Sequence, residues 1–150
     1  MSDDILILEK KLNDFITLYN KYKNQNFTVD IELKENFYDL LGWYEVCIKK
    51  LDNLTKLDEE KISAIKYANN MKKHSNSIFR HTLETLALYP SPDLFPSETL
   101  YPSDFNIFWN TLPLDNQRFV NQYNNYLKHL EGKEILPTLN EIFTIIKKYY

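Results

Sequence analysis

Five neighbouring side chains in the middle of the chain carry the groups best suited to chemistry on a phosphate. His74 supplies an imidazole, the side chain that most often accepts and gives up protons in catalysis. Lys72 and Lys73 can neutralise phosphate oxygens, and the amides of Asn69 and Asn70 can donate hydrogen bonds to them. These groups could assist cleavage of RNA by its own 2′-hydroxyl, could bind an anion, or could simply end a solvated helix.

The spacing of three of these residues resembles the Arg-polar-x-x-x-His signature of the HEPN family of helical ribonucleases and nucleotide-binding domains. Asn70 matches the polar position and His74 the histidine, whereas Asn69 stands where the family has arginine. The resemblance implies a helical bundle, usually a homodimer, whose motif residues line a cleft that cuts RNA without a metal. In that alternative the chain is an endoribonuclease and His74 is its catalytic acid and base. Because Asn69 is neutral, it cannot neutralise the charge of a phosphorane, which favours a site that only binds.

Positive charge is concentrated in residues 61–81, which hold five basic side chains and no carboxylate. The whole chain nevertheless has a formal net charge of -3. Such a segregated basic block favours an acidic protein surface or RNA as partner, although the net acidity opposes general affinity for nucleic acid. We therefore predict a non-catalytic binding or regulatory protein whose basic residues converge on one outward-facing surface. The predicted binding residues are Lys66, Asn69, Asn70, Lys72, Lys73, His74, Arg80, His81, Phe105 and Trp109.

That surface carries an experimental prediction. Reversing the charge of Lys72, Lys73 and Arg80 together is expected to abolish partner capture without loss of the helical circular-dichroism signal. The opposing interpretation is that Arg80 and His81 are ordinary surface residues with no partner to bind.

The sequence lacks the residues that common cofactor sites need. Gly42 and Gly132 are its only glycines, which excludes a P-loop and a dinucleotide-binding loop. The three histidines show no local metal-ligand spacing. Cys47, the sole cysteine, cannot form an intramolecular disulfide, and its position among apolar residues predicts a buried thiol. We therefore expect no cofactor and no metal.

The fold class is predicted to be all-α, with residues 1–150 forming a single-domain bundle of five or six helices. Apolar residues recur every three or four positions from Ile5 to Tyr22 and from Leu33 to Leu51, as amphipathic helices require. Further helices are predicted from Asp58 to His74, from Ile78 to Leu86, from Asp115 to Leu130 and from Thr138 to Tyr149.

Residues 88–113 interrupt the helical pattern with five of the six prolines and several aromatic side chains. Proline lacks an N–H and disfavours helix at the residue before it, so no long helix can form in this insertion. The run from Phe105 to Trp109 has a composition compatible with a short β segment. The aromatic residues predict either a lid that closes one side of the bundle or an exposed partner-binding face.

A cytoplasmic protein without a membrane segment is predicted, since no stretch approaches the roughly 18 apolar residues of a membrane span. The acidic start has no apolar signal-peptide core. Lysine greatly outnumbers arginine, and Asn and Tyr are frequent, which is typical of A/T-rich codons. We therefore interpret the chain as a product of a low-GC bacterium, phage or mobile element, acting in defence or anti-defence.

Overall fold

The computed structural model describes residues 3–24, 31–74, 77–81 and 106–150. In these ranges five α-helices and a small antiparallel sheet contribute to one hydrophobic core. The prediction of an all-α helical bundle is confirmed. The helices are α1 (Asp3–Lys23), α2 (Ile31–Ile48), α3 (Lys56–Lys73), α4 (Val120–His129) and α5 (Ile135–Tyr149), and the strands are β1 (Phe79–His81) and β2 (Ile107–Trp109).

The first two helices form where the apolar spacing predicts them, and each buries the predicted face. They pack against each other, with the rings of Phe15 and Phe37 separated by 5.5 Å between centroids. Cys47 is buried near the end of α2, as predicted, and burial raises the pKa of its thiol. Such a thiol is a packing residue, because the nucleophilic thiolate is disfavoured.

The third helix begins two residues earlier than predicted because Thr55 supplies its N-cap. The Thr55 hydroxyl accepts a hydrogen bond from the backbone N–H of Asp58 at 3.3 Å. The Asp58 carboxylate accepts one from the Tyr149 hydroxyl at 2.7 Å, which lowers the pKa of Asp58. This bond joins the start of α3 to the end of α5.

The prediction of a short helix from Ile78 to Leu86 is wrong for its described part, residues 78–81. Phe79–His81 is strand β1, and it pairs antiparallel with β2 so that Arg80 lies opposite Phe108. The sequence hides this pairing because the two strands are far apart along the chain. The short β segment that the composition from Phe105 to Trp109 predicts is strand β2, at Ile107–Trp109. Residues 82–105, including Phe105, lie outside the described ranges.

Strand β2 belongs to the core and not to an exposed face. Trp109 has no exposed surface, and its Nε1 donates to the Thr138 hydroxyl at 2.6 Å. Its ring lies 5.5 Å from that of Phe37 and 6.4 Å from that of Tyr126, between centroids. The prediction of Trp109 as a surface binding residue is therefore corrected, since an indole packed on three helices cannot meet a partner.

The last helix begins at Ile135, ahead of the predicted start at Thr138. Pro137 lies in its first turn, where the missing N–H costs nothing because no helical acceptor exists there. Gly132, with φ of 75°, forms the turn between α4 and α5. Its N–H donates to the Trp109 carbonyl at 3.0 Å, so the turn is tied to β2.

The buried tyrosines predict a loss of stability at high pH. Tyr19 is buried with its hydroxyl donating to Asn106 at 3.0 Å, and burial raises its pKa to about 12. An unfolded tyrosine ionises near pH 10. The folded chain therefore keeps protons that the unfolded chain loses, and the free energy of unfolding should fall as pH rises from about 10 to about 12. Urea denaturation at about pH 9 and about pH 11 should show this loss, and Tyr19→Phe should reduce it. Equal stability at both pH values would contradict the prediction.

Candidate binding groove

Three of the predicted binding residues lie on one face of α3. Lys66, Asn70 and Lys73 are spaced by four and three residues, which places them one above another on the same side of a helix. Helix α3 packs between α2 and α4, so this face looks into the space between its two neighbours. Residues from both neighbours complete a groove there.

This lysine groove is a half-open cavity of about 300 Å³ on the surface of the bundle. Its cationic side comes from α2 and α3, and its aromatic side comes from the start of α4. The lining residues are Glu45, Ile48, Lys49, Lys66, Asn70, Lys73, Phe119 and Gln122.

The charges in the lysine groove are three lysines against one glutamate. The Glu45 carboxylate accepts a hydrogen bond from Lys73 Nζ at 2.9 Å and lies 3.9 Å from Lys49 Nζ. The bond from Lys73 holds the pKa of Glu45 below its usual range. Lys66 is exposed and makes no ion pair or hydrogen bond with the described residues. The groove therefore has a surplus of positive charge available to an anionic ligand.

The opposite side of the groove offers aromatic and amide groups. Phe119 is half-buried, and the guanidinium of Arg118 lies 4.6 Å from the centroid of its ring. The Asn70 amide donates to Asp115 at 3.4 Å. Gln122 makes no hydrogen bond with the described residues, so its amide is available to a ligand.

His74 lies just beyond this groove, at the C-terminal end of α3. It is the C-cap residue, and its side chain is 54% exposed with Nε2 3.5 Å from Asp115. His74 thus has a carboxylate beside it, whereas the cleavage chemistry of the HEPN-like alternative needs a positive donor there.

Asn69 and Lys72 face α2 instead of the groove. Asn69 is 2% exposed, and its amide donates to the Leu41 carbonyl at 3.0 Å. Lys72 Nζ donates to the Tyr38 carbonyl at 3.0 Å, and burial lowers its pKa. Both side chains join α3 to α2, so the expectation that they lie on a recognition surface is corrected.

Arg80 and His81 belong to strand β1 and do not line the groove. Arg80 is 6% exposed, and its Nη1 donates to Asn110 at 3.3 Å and to Thr111 at 3.4 Å. The five basic side chains of the block therefore lie in different places. Lys66 and Lys73 line the groove, Lys72 contacts α2, Arg80 is buried, and Lys61 is paired with Glu141 on α5.

Sequence reasoning missed the groove residues outside the basic block. Lys49 directly follows α2, and Phe119 and Gln122 lie at the start of α4. A charge count in one window cannot find them, because only the packing of α3 between α2 and α4 brings them together.

The described residues contain no group of three or more His, Cys, Asp or Glu side chains that could hold a metal ion. None of the helices in the described ranges combines the length and apolar character needed to cross a membrane. No protein-family model, curated protein or solved structure matches the chain. The HEPN resemblance therefore stays a prediction from the residues.

Proposed function

We propose that this chain is a non-catalytic binding protein that holds an acidic segment of a partner protein in the lysine groove. The observation that carries the proposal is the surplus of positive charge, three lysines against one glutamate, in a cavity of about 300 Å³. Lys66 supports it most directly, because its ammonium is exposed and has no partner among the described residues.

An acidic protein segment suits this groove better than RNA. Glu45 lies among the lysines and would repel a continuous row of phosphates, and the net charge of -3 opposes a polyanion further. A peptide carries separate carboxylates that can avoid Glu45. Its apolar side chains can contact Phe119, and its backbone can bond the amides of Asn70 and Gln122.

A regulatory role in a bacterial or phage conflict system is part of the same proposal. It rests on composition alone, so the test is the identity of the neighbouring genes. A toxin or restriction system beside this gene would support the role.

Binding of a fluorescein-labelled acidic peptide, with leucines between its glutamates, tests the proposal by fluorescence anisotropy. Reversing Lys49, Lys66 and Lys73 to Glu is expected to weaken binding by about tenfold or more, because attraction becomes repulsion. Glu45→Gln is expected to strengthen it, since the lysines lose their internal competitor. Binding should weaken as salt rises, because these charges are exposed.

A matched control separates the groove from net charge. Reversing Lys10, Lys56 and Lys147 to Glu changes the net charge by the same amount as the groove variant, but outside the groove. Lys10 is paired with Asp14 at 2.8 Å, much as Lys73 is paired with Glu45 at 2.9 Å. Equal losses in the two triple variants would refute the groove as the binding site.

A labelled single-stranded RNA of equal length, incubated in EDTA, tests the alternative function. Tighter binding of RNA than of peptide would replace the acidic protein as partner. Cleavage that disappears in His74→Ala would replace binding by a HEPN-like endoribonuclease.

A further inference from the structure

A second cavity, of about 260 Å³, lies where the start of α3, the end of α4 and the middle of α5 meet. It shares no lining residue with the lysine groove. Its lining residues are Leu57, Lys61, His129, Leu130, Lys133, Thr138, Glu141 and Ile142.

The inner part of this cavity is apolar. Leu130 and Ile142 are core residues with almost no exposed surface. The Thr138 hydroxyl is already engaged, since it accepts from Trp109 at 2.6 Å and donates to the Ile135 carbonyl at 2.8 Å. The interior therefore suits a compact hydrocarbon group.

The rim of the cavity carries more positive than negative charge. Lys61 is paired with Glu141, the single carboxylate in the lining. Lys133 Nζ donates to the backbone carbonyl of Lys128 at 3.3 Å, and no described carboxylate pairs with it. One ammonium charge at the rim is therefore left unneutralised beside an apolar interior.

His129 forms a fixed wall of the same cavity. Its side chain is 10% exposed, and Nε2 lies 3.1 Å from Glu60, which also accepts from Lys128 at 3.2 Å. The bonds from His129 and Lys128 hold the pKa of Glu60 below its usual range, so its carboxylate stays charged and already has hydrogen-bond partners. Glu60 is thus engaged by His129 and Lys128 and does not neutralise Lys133.

We infer that this cavity binds a small monocarboxylic acid with a compact apolar group, which inserts among Leu130 and Ile142 while its carboxylate meets Lys133. The volume lies just below the roughly 300–1,000 Å³ of drug-sized sites, so the ligand is smaller than a nucleotide. No arginine lines the cavity to give the bidentate contacts typical of phosphate sites, which favours a carboxylate.

Benzoate is a suitable probe, and benzyl alcohol is its uncharged counterpart. Backbone amide spectra of the ¹⁵N-labelled chain should show saturable shifts around Leu130 and Ile142 with benzoate, and weaker binding with the alcohol. Lys133→Gln is expected to weaken benzoate binding by about fivefold. Glu141→Gln should strengthen it by a similar factor, because it releases Lys61.

The two substitutions lie on the same rim but have opposite expected signs, so a general disturbance of the fold cannot mimic the pattern. Lys66→Gln, in the lysine groove, should leave benzoate affinity unchanged. Absence of saturable shifts with benzoate, equal affinity for the alcohol, or weaker binding in both rim variants would overturn the inference. None of these results bears on the proposed function, which uses other residues.

Discussion

Replacing Trp109 by alanine is expected to lower the free energy of unfolding by about 3–5 kcal/mol. The indole has no exposed surface and packs on Phe37 and Tyr126, so alanine would leave a cavity that the helices cannot fill. The Nε1 bond to the Thr138 hydroxyl is lost as well. Because domains are stable by only about 5–15 kcal/mol, this variant should be near the limit of folding.

Urea denaturation followed by circular dichroism measures this loss, and the chain offers a matched control. Trp43, the other tryptophan, is only partly buried in α2, so Trp43→Ala should cost clearly less. Trp109→Phe keeps the aromatic contacts and should show an intermediate loss. Similar losses at Trp109 and Trp43 would mean that β2 is not part of the core, and would restore Trp109 as a candidate partner-binding residue.

The helices could be predicted from the sequence because their signal is local. A helix repeats every 3.6 residues, so the apolar series from Ile5 to Tyr22 shows by itself which face is buried. Strands β1 and β2 have three residues each, too few to show an alternation. Their pairing depends on a contact between distant parts of the chain, which is why the local pattern predicts a helix at Phe79.

The candidate site could be predicted only in part, for a geometric reason. Successive residues of a helix turn by about 100°, so a block of basic residues points in several directions. Lys66, Asn70 and Lys73 share a face, whereas Asn69 and Lys72 turn toward α2, where Asn69 is buried and Lys72 half-buried. A helical projection of α3 would have separated these sets, but nothing local indicates that Lys49 and Phe119 complete the groove.

Reversing the charge of Arg80 is expected to lower the free energy of unfolding by about 3–5 kcal/mol, the cost of breaking a buried polar network. Arg80 is 6% exposed, and its guanidinium donates to the side-chain oxygens of Asn110 and Thr111. A glutamate would place a carboxylate against those oxygens with little water to solvate it. By contrast, Lys66→Glu changes an exposed side chain and should stay within about 0.5 kcal/mol.

Urea denaturation of Arg80→Glu and Lys66→Glu compares the same charge change at a buried and an exposed site. If this difference is found, the variant predicted from the sequence, in which Lys72, Lys73 and Arg80 are reversed together, is not a valid test of binding. Because Lys72 is half-buried as well, that variant would lose capture by unfolding, whatever the groove binds. If instead Arg80→Glu proves as stable as Lys66→Glu, then Arg80 is accessible to solvent, and the recognition surface extends from α3 onto β1.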